Sequence, residues 1–334
     1  MSVMHSYCIA VEEFGDPPRC AKCVVDDLPM APGPTDVLVE IAASPINPAD
    51  LLEIQGSYAG TQLPFIAGAE GAGFIVDRGK ATSAKRGDLV MCLGRGNWRG
   101  LKVVAESQIV VLPPELDVRQ AAMLRVNPAT AYLLLTEVVP LAPGDWIAFN
   151  AANSSVGSLL AELAGAMGLK AIAVSRKTDE TKALLSRGAS AVLPDNDELT
   201  AAVLELTGGV GLRAAFDCVA GQSSKRLADA MAPEGLLCVY GHLCGEPCAI
   251  PSRALTFGQL QVRGFNLGNA LHSRNAQAVR KFYGALANRM VKGQLHTPVA
   301  RTYALEQIAQ ALEHAASSSG SKIQLAPGHP RTDQ

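Results

Sequence analysis

The sequence predicts an α/β chain in two parts, a β-rich domain followed by a doubly wound parallel sheet. Three observations carry this expectation. Residues 1–120 break into short apolar runs cut by proline and glycine. From Trp146 onward, strand-like runs alternate with segments of helical periodicity. Between them, Pro143–Thr178 has the form of one βαβ unit of about thirty residues, the size of a mononucleotide-binding half.

In the first part, strands are expected at Ser6–Val11, Cys20–Val25, Asp36–Ala43, Gly73–Asp77, Asp88–Cys92 and Leu101–Val104. Turn signals separate them: Asp16-Pro17-Pro18, Ala31-Pro32-Gly33-Pro34 and Arg86-Gly87-Asp88. Pro48–Ile54 reads as a short helix with Asn47 available as its cap. The style changes near Ala121, and Ala129–Val138 reads as a helix. Six strands follow, at Trp146–Asn150, Ala171–Val174, Ala191–Leu193, Ala214–Cys218, Gly235–Tyr240 and Gln261–Phe265. Helices at Ser158–Met167, Glu180–Ser186, Asp197–Leu206 and Ser223–Met231 lie between them. The tail offers a helix at Asn275–Val291, a strand at Val299–Tyr303, a helix at Glu306–Ala316 and a strand at Lys322–Gln324, with a mobile loop over Ser317–Ser321. That tail is too short for a third domain, so it is expected to return to the first. The boundaries are 1–122 for the first part of the β-rich domain, 123–266 for the nucleotide-binding domain and 267–334 for the return.

Composition narrows the function classes. The 334 residues carry 29 basic and 31 acidic side chains, net −2, which gives no global case for binding nucleic acid or a membrane. No apolar run reaches transmembrane length. The N-terminus lacks the basic start and apolar core of a secretory signal, so a cytoplasmic enzyme is expected. Eight scattered cysteines do not form a disulfide scaffold. Cys20-x-x-Cys23 and Cys244-x-x-x-Cys248 invite a zinc reading, with His242 the one obvious neighbour, against the plainer reading of buried reduced thiols.

The chemistry begins in the βαβ unit. Ala151-Ala152-Asn153-Ser154-Ser155-Val156-Gly157 is a turn of small residues between an apolar strand and a helix. Such a turn lets backbone approach a pyrophosphate, and the following helix N-terminus offers N–H groups and a positive dipole end. Of the three glycines usual in this turn only Gly157 is present; a structural turn without ligand is the alternative. After the second strand, Ser175, Arg176 and Lys177 stand where an NAD enzyme places a carboxylate for the ribose 2′-hydroxyl. A guanidinium and an ammonium pair instead with a 2′-phosphate, which selects NADPH over NADH.

The order of these parts, with Gly68-Ala69-Glu70-Gly71-Ala72-Gly73, resembles the medium-chain dehydrogenase/reductase superfamily over nearly the whole chain. The resemblance implies a GroES-like β-rich catalytic domain plus a doubly wound parallel (Rossmann) sheet domain. The hallmark histidine is replaced by Ala69, and the other two metal-ligand positions fall near Asn47 and Asn127, so no metal site is expected. The structural-zinc lobe is missing too. Without a Lewis acid for an alkoxide, the chain is expected to be a zinc-free reductase. Ile46-Asn47-Pro48-Ala49-Asp50, Ile54-Gln55-Gly56-Ser57-Tyr58, Leu63-Pro64, Asn97-Trp98-Arg99, Val126-Asn127-Pro128-Ala129-Thr130-Ala131-Tyr132 and Asn150–Gly157 narrow the resemblance to mitochondrial-type 2-enoyl thioester reductases.

Carried over residue by residue, that resemblance makes Tyr58 the proton donor. It makes Asn127, Asn153, Ser154, Ser155, Val156, Gly157, Arg176, Lys177 and Thr178 cofactor contacts, the last three at the 2′-phosphate. Tyr240, Gly241, His242, Leu243, Phe265, Asn266, Leu267 and Lys322 fall nearer the nicotinamide, and Asn47 is a candidate for the cofactor ribose or for ordering the loop. Ser155 and Thr178 depart from the usual glycine and second arginine. Trp98 reads as acyl-channel lining, with a core position the close alternative, and Trp146 as core.

The reaction implied is NADPH-dependent reduction of the carbon–carbon double bond of an enoyl-CoA or enoyl-acyl-carrier-protein, with hydride to Cβ and a proton to Cα. A zinc-free quinone or enone reductase is the second reading and a non-catalytic NADPH-binding protein the third. No Asp or Glu occurs between Glu246 and Glu306, while Arg253, Arg263, Arg274, Arg280, Lys281, Arg289, Lys292 and Arg301 do. This reads as a basic face for an anionic carrier, coenzyme A or acyl carrier protein, or as a solvated face balanced in space. A homodimer pairing the Rossmann sheets edge to edge near Gly235–Tyr240 is the superfamily's habit.

Overall fold

Proline and glycine break the first third of the chain into short strands. The computed structural model describes residues 3–29, 31–58, 60–176, 181–318 and 320–328. Strands β1 (Val3–Val11) and β2 (Ala21–Pro29) pair antiparallel across a single helical turn, α1 (Pro17–Cys20). Proline in the first turn has no N–H to lose, so the Asp16-Pro17-Pro18 signal starts a helix rather than a plain turn. There follow β3 (Asp36–Pro45), α2 (Pro48–Ile54), β4 (Phe65–Ile66), β5 (Ala72–Arg78), β6 (Leu89–Cys92), β7 (Leu101–Ala105), β8 (Ile109–Val111) and α3 (Val118–Ala121).

The middle of the chain comprises α4 (Asn127–Thr136), β9 (Trp146–Phe149), α5 (Ser155–Ala166), β10 (Lys170–Ser175), α6 (Thr181–Ser186), β11 (Ala191–Pro194), α7 (Leu199–Leu206), β12 (Leu212–Asp217), α8 (Gly221–Asp229), β13 (Met231–Val239), α9 (Ser252–Thr256), β14 (Gln261–Gly264) and α10 (Leu267–His272). The tail adds α11 (Ala276–Val291), β15 (Val299–Tyr303), α12 (Ile308–Ser317) and β16 (Lys322–Leu325).

The chain divides into two units, Met1–Val126 with Arg274–Gln334, and Asn127–Ser273. In the first, a seven-stranded sheet has the order β15-β16-β3-β5-β6-β8, with β7 also on β3, and a smaller sheet has the order β2-β1-β4. The tail joins through β16, which pairs antiparallel with β3 at Gln324–Pro45 and Leu325–Ser44. Its apolar side chains complete the core: Ile323, Leu325, Ile308 and Leu312 pack with Ile9, Val11, Ile46, Ile54 and Trp98. Trp98 is fully buried there and donates its indole N–H to the Pro45 carbonyl, 3.2 Å away. That places Trp98 in the core and settles the earlier alternative.

The second unit is a six-stranded sheet, parallel throughout, of order β11-β10-β9-β12-β13-β14. The chain starts in the middle and winds outward both ways, so the strand order reverses between β9 and β12. Central strands are apolar on both faces, as burial by helices on each side requires: Ala148, Ile172, Val174, Ala215 and Leu237 share one cluster.

Several expectations need correction. Helix α5 starts at Ser155, three residues before the periodic apolar run, because the Ser154 hydroxyl accepts the Gly157 N–H at 3.1 Å and caps it there. Short elements without periodicity, α1, α3, α9, α10, β4 and β8, escaped the pattern. Strand β13 has β12 on one side and β14 on the other, so dimer pairing along Gly235–Tyr240 is blocked; β14 is the edge strand. Ser317 closes α12 rather than opening a loop. Cys8, Cys20, Cys92 and Cys238 are buried, but Cys244 and Cys248 are exposed, against the reading of buried thiols. Among the described residues no helix is long and apolar enough to cross a membrane.

Candidate functional site

The candidate residues gather in two places, one in each unit. In the first unit, α2 begins at Asn47, whose backbone N–H donates to the Asp50 carboxylate at 2.8 Å. The other Asp50 oxygen accepts the Ala69 N–H at 2.8 Å, so the buried carboxylate ties the helix start to the Gly68–Gly73 segment. Asn47, expected as a helix cap and as a candidate for the cofactor ribose or for ordering the loop, caps α2, and its side chain also joins a buried polar cluster. Its Nδ2 donates to Glu70 Oε2 at 2.7 Å, and its Oδ1 accepts from Lys322 Nζ. Glu70 Oε1 accepts the Val126 N–H at 2.8 Å.

All four side chains are buried. Burial pushes the Asp50 and Glu70 carboxyls above the usual carboxylate range and the Lys322 ammonium below its usual range. The fold thus brings Asn47 and Lys322 together across 275 residues of sequence.

Tyr58 is not in that cluster. It stands just beyond α2, 38% exposed. Gly56 makes the bend at φ +78°, and a Cβ there would meet the Phe14 ring at 2.8 Å. The Arg95 guanidinium lies 5.3 Å from the Tyr58 ring centroid, pairs with Glu53 and approaches Asp50 at 3.7 Å. No motif pointed to Arg95 or Glu53, and Asp50 entered only as the end of the Ile46–Asp50 motif: a charged side chain in a loop or on a two-turn helix carries no periodic signal.

In the second unit the candidates follow the carboxyl ends of the parallel strands. After β9, Ala151 takes φ +49° and the turn closes with Ser154 N–H to Ala151 carbonyl at 2.8 Å. A Cβ on Gly157 would meet the Ala152 and Ala151 carbonyl oxygens at 2.6 and 2.7 Å, so the close approach of helix to turn demands glycine. Val156 and Ser155 are half-buried in the first turn of α5. Ser175 ends β10 buried, and Arg176 follows it exposed. Lys177 and Thr178, expected beside it, lie outside the described residues.

Tyr240 follows β13 and donates its N–H to the Asp217 carbonyl at 2.9 Å; Leu243 donates to the Cys218 carbonyl at 3.0 Å. Gly241 packs where a Cβ would meet Cys218 Sγ at 2.7 Å. His242 and Leu243 are exposed. Phe265 continues β14, donating its N–H to the Val239 carbonyl at 2.8 Å. Asn266 caps α10 by accepting the Asn269 N–H at 3.1 Å, and Leu267 opens that helix. Asn127 is buried at the start of α4.

Beneath these ends lies a network that the sequence reading missed. Asn150 donates to Asp217 at 2.6 Å and to Ser223 at 2.9 Å, and accepts the Cys218 N–H at 2.7 Å. It locks β9 to β12 at the point where strand order reverses. One buried polar atom at these strand ends, Asn153 Oδ1, has no hydrogen-bond partner in the protein, while the buried Tyr240 hydroxyl meets the Cys218 thiol. Buried polar atoms are normally satisfied, so a ligand with complementary polar groups fits at this end of the sheet. With the helix N-terminus and Arg176, the arrangement suits an anionic dinucleotide. Among the described residues no cluster of three or more His, Cys, Asp or Glu has the form of a metal site.

Comparison with known proteins agrees with this layout. Residues 33–114 match the alcohol dehydrogenase GroES-like domain and residues 155–283 the zinc-binding dehydrogenase domain. The chain is 33% identical to a mitochondrial enoyl-[acyl-carrier-protein] reductase of Rattus norvegicus over 318 residues, 92% of this chain and 85% of that one. It is 32% identical to its Dictyostelium discoideum namesake over 327 residues, 95% and 93% of the two chains. A solved structure of a putative NADPH:quinone reductase from Bacillus thuringiensis superposes with TM-score 0.91 at 28% identity, covering 97% of this chain and 99% of that one. The chain therefore belongs to the medium-chain dehydrogenase/reductase superfamily of oxidoreductases, in the family that holds the enoyl-[acyl-carrier-protein] reductases.

Proposed function

We propose that the protein reduces the carbon–carbon double bond of a 2-enoyl thioester with NADPH. The observation that carries this is the exposed phenol of Tyr58, held beyond α2 by the Gly56 bend, in a chain whose relatives are enoyl-[acyl-carrier-protein] reductases. Reduction of a 2-enoyl thioester needs a proton donor at Cα, and a phenol on an exposed loop can serve. NADPH supplies the hydride for Cβ. The turn Asn153–Gly157 and the α5 N-terminus suit its pyrophosphate, and the unpartnered Asn153 oxygen suits one of its polar groups. Arg176, with Lys177 and Thr178, is assigned to its 2′-phosphate. Asn47, Asn127 and Lys322 keep the cofactor assignment that the family resemblance implies.

The carrier is proposed to be coenzyme A or an acyl carrier protein. Of the basic residues between Glu246 and Glu306, Arg253 and Arg263 lie in the second unit, while the rest belong to the tail of the first. Arg280, Lys281 and Arg289 lie on α11 and are the core of the proposed carrier face. The homodimer proposal moves to β14, whose side chains are all exposed and which has β13 as its one neighbour among the described strands.

The second reading, an NADPH:quinone reductase, is favoured by the Bacillus thuringiensis structure. NADPH oxidation measured with crotonyl-CoA, a longer enoyl-CoA and a simple quinone, on wild type and Tyr58→Phe, separates them. Thioester turnover that collapses in Tyr58→Phe is expected. Turnover on the quinone alone, indifferent to the substitution, selects the second reading. Tight NADPH binding with no turnover on any acceptor overturns both.

A further inference from the structure

The loop from Leu93 to Trp98 is fixed more firmly than a surface loop needs. Lys102 Nζ donates to the Arg95 carbonyl and to Asn97 Oδ1, both at 2.7 Å. Asn97 Nδ2 in turn reaches the Gly94 carbonyl at 2.7 Å and the Gly68 and Ala69 carbonyls at 3.2 Å. The backbone of Arg95 is therefore anchored to β7 and to the Gly68–Gly73 segment. Its side chain is anchored again by Glu53 and Asp50, two buried carboxylates of α2. The Cζ of this doubly fixed guanidinium lies over the Tyr58 ring, 5.3 Å from its centroid. The Arg95 Nε is buried without a partner, so the Glu53 and Asp50 contacts of its terminal nitrogen are what hold the group.

We propose that Arg95 is a positioning residue for Tyr58: it holds the phenol in its donating orientation by placing a fixed positive charge over the ring. The inference rests on the reading of Tyr58 as the proton donor. In that step the Tyr58 O–H bond breaks and a C–H bond forms at substrate Cα from the enolate electron pair. The enolate is left by the hydride that NADPH delivers to Cβ. The negative charge passes from the enolate to the phenolate, and water returns the proton, since Tyr58 is exposed. A cation held over the ring by two carboxylates keeps the phenol in place through the step and needs no rearrangement of its own. A lysine would supply the charge without the planar fork that pairs with Glu53 while lying over the ring.

The test is a double-mutant cycle with crotonyl-CoA as substrate, using Arg95→Ala, Arg95→Lys, Tyr58→Phe and the two double variants, with kcat and KM measured separately and thermal midpoints recorded. Arg95→Ala is expected to lower kcat roughly ten- to hundredfold with KM nearly unchanged, and to cost less than about threefold once Tyr58 is Phe. Arg95→Lys is expected to recover part of kcat, and it replaces the alanine in the cycle if Arg95→Ala does not fold. Equal losses in both backgrounds overturn the inference, because a merely structural arginine acts whether or not the hydroxyl is present. So does a rise in KM with kcat unchanged, which assigns Arg95 to substrate binding. Full activity in Tyr58→Phe overturns the reading of Tyr58 itself, a result distinct from both.

Discussion

Asn47 donates its side-chain amide to Glu70 across 2.7 Å in the buried floor of the first unit. With Lys322 on its other end the amide has one orientation, since flipping it would set oxygen against carboxylate and NH2 against ammonium. A buried charged cluster of this kind is expensive to break by halves. Glu70→Ala removes the acceptor of the Asn47 amide and of the Val126 N–H and leaves the buried Lys322 with Asp50 as its remaining opposing charge. The expected loss of stability is about 3 kcal/mol, read by urea unfolding; a loss below about 1 kcal/mol would mean that the cluster does not hold a charged pair.

Gly157 permits the contact between α5 and the turn before it. Gly157→Val forces the helix N-terminus away from the Ala151 and Ala152 carbonyls. NADPH affinity, measured by fluorescence titration, should fall about tenfold or more, equivalent to about 1.4 kcal/mol. Unchanged affinity would remove this turn from the cofactor site.

Lys102 is buried, and burial lowers its pKa from 10.5 to about 8. Below pH 8 both folded and unfolded chains carry the proton and the fold bears the cost of a buried charge. Between about 8 and 10.5 the folded chain is neutral here while the unfolded chain still holds the proton, so this group adds stability as pH rises. The thermal midpoint difference between wild type and Lys102→Met should therefore shift in favour of wild type on going from pH 7 to pH 9.5. A difference independent of pH would show that Lys102 keeps an ordinary pKa.

Arg280, Lys281 and Arg289 share α11, and Arg280 reaches the Glu106 carbonyl at 3.4 Å. Replacing all three with alanine should raise KM for carrier-bound enoyl substrates severalfold at low salt. The effect should fade as ionic strength rises, because exposed charges are screened within about 10 Å at 0.1 M. An unchanged KM at low salt sinks the carrier face.

Cys244 and Cys248 are exposed, whereas Cys92 and Cys238 are buried, and burial pushes Cys238 up to about 12. Iodoacetamide at pH 8 should label Cys244 and Cys248 first and leave Cys238 and Cys92 last, read by peptide mass spectrometry. Early labelling of Cys238 would mean that β13 is open to solvent.

Local pattern alone determined the parallel sheet and the helices around it. An apolar run bounded by turns, or apolar residues at helical spacing, says which face must be buried, and burial is the dominant favourable term. The sequence also placed the α5 turn and the candidate residues that follow the strand ends. It lost accuracy where structure depends on one hydrogen bond, as at Ser154, and in elements too short to show a period. It misjudged the edge of the second sheet, because an apolar strand such as Leu236–Val239 reads alike whether it has one neighbour or two. Only the tertiary structure decided which polar groups meet. Lys322 reaches Asn47 because the tail returns through β16 to pair with β3. Arg95 reaches Tyr58 because Lys102, Asn97, Glu53 and Asp50 hold the intervening segments. Hydrogen bonds and ion pairs are short-ranged and directional, so partners far apart in sequence leave no periodic trace in it and appear only when the chain has closed.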